Sequence, residues 1–172
     1  MRQIGHIVNA VDRLTDRVAR VVSWATVPMI GALFIAVPLR YIFDYGSPYL
    51  DDWPQTGHSA LFLIGAAYAL LTNDHVRVDI FYRSMSRRRQ ALVDFFGTVL
   101  FLLPWLAVIG WYAWPIVRSS WGELEEFPET MTPGYFVSKS LILAFVVMVG
   151  LQGIANAVRA ASILIAPKES DR

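Results

Sequence analysis

Chemistry in a chain of 172 residues has to come from side chains that titrate, ligate or attack, and this chain holds few in useful places. There is no cysteine, which removes disulfides, thiol chemistry and cysteine-based metal sites and leaves the redox compartment undetermined. The histidines are His6, His58 and His75. A haem or metal pair needs two histidines at one level inside a membrane. The pattern described below sets His6 and His75 on the inner surface and His58 near the outer end of a span, so each reads as a lone hydrogen-bonding or packing residue. Asp94 lies about two turns after Arg87-Arg88-Arg89, and its plain reading is a salt bridge or a helix-start charge favoured by the dipole. No carboxylate lies deep in an apolar window, where an ion-driven carrier keeps its coupling group.

Three other groups of residues carry information. Gln152, Asn156 and Arg159 share a helical face, and Gly153, Ala157 and Ala161 form a small-residue strip beside it. Such strips let helices approach closely, while amides hydrogen-bond across the contact. Together with Trp105, a tryptophan far from either interface belt, Gln152, Gly153, Asn156 and Ala157 are candidates for packing within this chain's own helices or against a second membrane subunit. Asp51, Asp52, Glu123, Glu125 and Glu126 form an acidic set on one side, which is either solvated loop charge or a docking surface. His75, Arg77 and Asp79 alternate with apolar residues in a connector held against the headgroups.

The elements that position these residues follow from the spacing of charge. Four windows lack Asp, Glu, Lys and Arg: Val21–Leu39, Trp53–Asn73, Phe95–Val117 and Ser140–Val158, of 19, 21, 23 and 19 residues. About 20 apolar residues cross a hydrocarbon core. Inside it the backbone must satisfy its own hydrogen bonds, so each window is predicted to be helical. The expected class is an all-α integral membrane protein with four transmembrane helices. Ser86 reads as the cap of the third helix, expected over about 86–119, and Thr132-Pro133 as the start of the fourth, ending at Ile165. Pro54 reads as a first-turn proline. Residues 1–20 have no signal-peptide core; Ile4, Val8, Val11, Leu14 and Val18 recur at helical spacing among charges, as in an amphipathic helix lying on the inner face. The expected division is therefore this helix at 1–20, a membrane domain at 21–166 and a cytoplasmic tail at 167–172.

Charge asymmetry sets the orientation. Of the 15 Lys and Arg, 12 fall on the side of the termini and of the connector between the second and third windows; only Arg40, Arg118 and Lys139 fall on the other. The positive-inside rule puts both termini in the cytoplasm. Tyr41, Tyr45, Trp53, Trp111, Trp114 and Trp121 cluster where an outer aromatic belt belongs.

The run Phe62-Leu63-Ile64-Gly65-Ala66-Ala67-Tyr68-Ala69-Leu70, followed by His75-Val76-Arg77-Val78-Asp79-Ile80-Phe81-Tyr82, resembles the signature of the small, DctQ-like membrane subunit of TRAP (tripartite ATP-independent periplasmic) transporters. Leu103-Pro104, Trp114-Pro115, Ser120-Trp121 and Leu151-Gln152-Gly153 also fit, so the resemblance covers roughly 51–161. Leu50-Asp51-Asp52-Trp53-Pro54-Gln55 departs from the family's usual Leu-Gln-Glu-Leu-Gln, and Glu125-Glu126-Phe127-Pro128 stands where Glu-x-Ser is usual. The resemblance implies a non-enzymatic scaffold in the bacterial inner membrane. It would be stably paired with a large subunit that holds the sodium and substrate sites, and visited transiently by a periplasmic binding protein carrying an organic acid. It implies no cofactor in this chain and no nucleic-acid partner. The alternatives are an accessory four-helix subunit of another complex or a four-helix membrane enzyme.

Overall fold

A computed structural model describes residues 2–72, 82 and 84–165. Among the described residues the chain is helical, with no strand beyond one bridge pair, Glu126–Pro133. The elements are α1 (Arg2–Ser23), α2 (Thr26–Ile42), α3 (Tyr49–Thr72), α4 (Arg87–Phe96), a π-helical turn (Gly97–Leu102), α5 (Leu103–Gly122) and α6 (Tyr135–Ile165). Three stretches are long and apolar enough to cross a membrane by length and composition: Gly5–Ile42, Arg87–Gly122 and Tyr135–Ile165. The remaining charge-free window, Trp53–Asn73, lies almost wholly within α3, which is 24 residues long. Gln55, Thr56, Gly57, His58 and Ser59 fill its second and third turns and lower its apolar content.

Prolines explain both irregularities in the long helices. Pro28 has no N–H for the Trp24 carbonyl, which instead accepts from Val27 at 3.2 Å; the ladder tightens there and separates α1 from α2. Pro104 similarly cannot donate one turn back. The turn before it widens, and the Leu103 N–H donates five residues back to the Thr98 carbonyl. The helix thereby continues across Pro104 from Arg87 to Gly122.

α3 and α6 are the central pair. α3 packs on α1, α2 and α6, and α6 packs on α1, α3, α4, the π turn and α5. Ala67, Leu106, Met148 and Val149 form the buried centre, flanked by Val18, Leu70, Leu102 and Phe145. Small side chains on α3 (Gly65, Ala66, Ala67, Ala69) allow this helix to have neighbours on several sides. α2 buries no residue and has its main contact with α3, so it forms one flank of the assembly; α5 forms the other.

Two expected helix starts are corrected. α3 begins at Tyr49, which puts Pro54 in its second turn rather than its first. α6 begins at Tyr135 rather than at Pro133, because Gly134 has φ 139° and the Thr132 hydroxyl is used elsewhere, as described below. Ser86 does precede α4 in extended conformation, but its side chain makes no capping bond. α1 extends to Ser23 and packs on α3 and α6, with Val8 and Thr15 buried.

Candidate functional site

Toward the end of the bundle where α3 and α6 terminate, a polar network joins α1, α3 and α6. Gln152 is wholly buried and stands at its centre. The Thr15 hydroxyl donates to Gln152 Oε1 at 3.0 Å, and Gln152 Nε2 donates to Asp12 Oδ1 at 3.1 Å. The other Asp12 oxygen is ion-paired with Arg159 Nη2. Arg159 Nη1 donates to Asn156 Oδ1 at 2.6 Å, and Asn156 Nδ2 donates to the Leu70 carbonyl of α3 at 3.1 Å. Every member bonds to another, which is the condition under which buried polar groups specify one packing rather than destabilise it. Asp12 is the charged end that matches Arg159, and Thr15 lies one turn on from it.

The candidate interface residues therefore occupy different environments. Gln152, Gly153 and Ala157 are buried within this chain, and Asn156 is partly buried. A Cβ on Gly153 would stand 2.9 Å from Leu102 Cδ2, so this glycine allows α6 to close on the π turn. Trp105 differs: it rests edge-on against Phe145 at 6.1 Å but remains 55% exposed on the outside of α5. Phe101, Val108, Trp111 and Tyr112 are exposed on the same helical segment.

At the opposite end, residues 123–134 fold back as a tight loop. Leu124 and Met131 adopt positive φ of 47° and 52°, Phe127 donates its N–H to the Thr132 carbonyl at 2.9 Å, and the buried Phe127 ring meets Tyr135 at 5.4 Å. Asp52 holds this loop to α3. It is only 8% exposed, and its Oδ2 accepts from the Thr130 hydroxyl at 2.5 Å and the Thr132 hydroxyl at 3.2 Å. Glu125 is clipped to α6 through Lys139 Nζ, which reaches Oε1 at 2.7 Å and Oε2 at 2.5 Å. The Lys139 ammonium holds the Glu125 carboxyl below its ordinary value, and Ser120 adds to the effect. Lys139 also lies 4.8 Å above the Tyr135 ring. Trp121 donates its indole N–H to Ser140 Oγ at 2.7 Å and meets the Phe136 ring edge-on at 4.7 Å.

The acidic set is thus divided by use. Asp52 and Glu125 are engaged in holding the loop, whereas Glu123, Glu126 and Glu129 are exposed on it. Asp51 lies in the first turn of α3. His75, Arg77 and Asp79 lie outside the described residues. No role was expected of Asp12, Thr15 or Thr130, and Thr132 was expected to start a helix rather than to hold Asp52. Their sequence signal was faint: an acid among the arginines of α1, and two threonines around Met131.

A cleft of about 1050 Å³ opens beside the polar network, lined by Leu70 and Leu71 of α3, by Tyr82, by one face of α4 and the π turn from Arg87 to Leu102, and by Asn156, Arg159, Ala160 and Ile163 of α6. Tyr82 donates its hydroxyl to Asp94 Oδ2 at 2.6 Å, and Gln90 donates to the Tyr82 carbonyl at 2.9 Å. These contacts fix one rim of the cleft.

Apolar helices joined by a shared polar network, with a compact loop at one end, can brace a membrane assembly. No curated protein matches the chain. The family model of the DctQ component of tripartite ATP-independent periplasmic transporters matches residues 29–162, which include the whole of α3, α4, α5 and the loop at 123–134 and most of α2 and α6, and the chain belongs to that family.

Proposed function

We propose that this chain, a component of a tripartite transporter and not an enzyme, is the small, static subunit of a sodium-coupled importer of an organic acid, with four spans in the bacterial inner membrane and both termini in the cytoplasm. It braces a large subunit that carries the substrate and sodium, while a periplasmic binding protein docks transiently. The observation that carries the static role is the network of Asp12, Thr15, Gln152, Asn156 and Arg159. It cross-links three helices through side chains, so moving them apart would strand buried polar groups. Trp105 is the outward member of the candidate interface and is placed to lead the contact with the large subunit, with Gln152, Gly153, Asn156 and Ala157 stiffening the frame behind it.

Reconstitution tests this role. Alone in liposomes with an inward sodium gradient, the chain takes up no organic acid. Uptake appears when the large subunit and the loaded binding protein are added. Sodium-driven uptake by the purified chain alone would overturn the role.

A further inference from the structure

The cleft beside α4 has a shape and a mixed polar and apolar lining that the scaffold role does not use. It runs along α4 and the π turn from Arg87 to Leu102, fifteen helical steps or ~22 Å, close to the depth of one membrane leaflet. Leu70, Leu71, Val93, Leu102 and Ile163 give it apolar walls. Arg87 stands at its mouth, beside Arg88 and Arg89, and makes no hydrogen bond or ion pair among the described residues. Midway, Gly97 lines the wall, and a Cβ added there meets nothing within 4 Å. The slot therefore has room where the helix wall carries no side chain.

We propose that this cleft holds one glycerophospholipid of the inner leaflet, with its phosphate against Arg87 and one acyl chain lying along Val93, Gly97 and Leu102. A guanidinium at headgroup level with no partner among the described residues matches a phosphate, to which it can donate two hydrogen bonds. Asp94 lies two turns deeper and already accepts the Tyr82 hydroxyl, which keeps the phosphate at the mouth. A free phosphate ion would engage only the mouth and leave the apolar length empty, so the two parts of the cleft together select a lipid. The bound lipid fills the side of α6 that presents Asn156, Arg159, Ala160 and Ile163, and so supports the frame from its open flank. This inference rests on the membrane orientation proposed above but not on the transport role.

The test is native mass spectrometry of the full chain purified in detergent, titrated with dioleoyl phosphatidylglycerol. The expected result is one tightly held lipid per chain. Arg87→Gln weakens it about tenfold, the loss of one charge-assisted contact. Gly97→Phe fills the slot and removes the tight lipid, while Arg118→Gln, an equal charge change at the opposite end, leaves it in place. Thermal unfolding in detergent confirms that the variants are folded. Equal lipid retention by wild type and folded Gly97→Phe would overturn the proposal. So would the absence of any tight lipid on the wild type, the result if the connector or another part of the protein fills the cleft, or displacement of the lipid by millimolar inorganic phosphate, which marks a free-anion site. The readout is lipid retention, so its failure leaves the reconstituted-uptake test of the scaffold role standing.

Discussion

Gly153 and Gln152 show how much a single position decides. Their shared helical neighbourhood was legible from the sequence, because spacings of four and seven put residues on one face whatever surrounds it. Their partners were not legible, since a helical face has no address until other helices are placed. The structure supplies the addresses: Leu102 for Gly153, and Asp12 with Thr15 for Gln152. Both positions therefore act first on this chain's own stability. Gly153→Leu drives a side chain into Leu102 and is expected to cost about 1–3 kcal/mol, as overpacking does. Gln152→Leu leaves the Thr15 hydroxyl and one Asp12 oxygen without their partner, at about 1–3 kcal/mol. Both should lower the midpoint of thermal unfolding of the chain purified alone in detergent. An unchanged midpoint for Gly153→Leu, with reduced co-purification of the large subunit, would mean that this face meets the partner after all.

At the scale of elements, three of the four charge-free windows fall in helices long and apolar enough to cross a membrane, because solvation inside a membrane is a property of long segments rather than of single residues. What the prolines do was less legible. Pro28 and Pro104 were visible, but a proline can kink, tighten or widen a helix, and neighbouring packing selects among these. The outer loop was the least legible element. Asp52 and Glu125 look in sequence like surface acids, yet two threonines and a lysine that are distant in the chain or on another element turn them into fasteners. The Glu125–Lys139 clip has a pH signature. Its carboxyl is held below the ordinary 4.5, so the contribution of the clip is complete above that value and is lost as pH falls through the lower folded value. The chain has no cysteine, so Glu129→Cys offers a unique site for a nitroxide. Label mobility should stay flat from pH 7 to about 5 and rise only below the normal Glu range. Adding Lys139→Met should raise mobility at neutral pH and flatten the step. Adding Asp52→Ala should raise it at every pH, because the two threonine bonds are lost. Identical profiles with and without Lys139→Met would show that the clip does not order the loop.

The whole molecule has its strongest asymmetry in charge, and this is where the proposed docking of a binding protein has to be argued. Its cations concentrate on the side of the termini and its outer loop is acidic, but only part of that acidity is available to a visitor. Asp52 is buried and Glu125 is neutralised by Lys139, whereas Glu123, Glu126 and Glu129 remain exposed on a loop whose shape the other two maintain. Charges at a rim raise the encounter rate more than they lengthen the lifetime of a complex, which suits a partner that has to leave and reload. Replacing Glu123, Glu126 and Glu129 together by Gln should slow uptake several-fold when binding protein is limiting and ionic strength is low. Excess binding protein should restore the rate. The difference should shrink near physiological salt, where the screening length is about 8 Å. Glu125→Gln is expected to behave otherwise: it loosens the loop, so excess binding protein should restore the rate less completely and the salt dependence should be weak. Uptake by the triple variant at the wild-type rate, measured at low salt and limiting binding protein, would reduce these three carboxylates to solvated surface and leave the large subunit as the sole docking face.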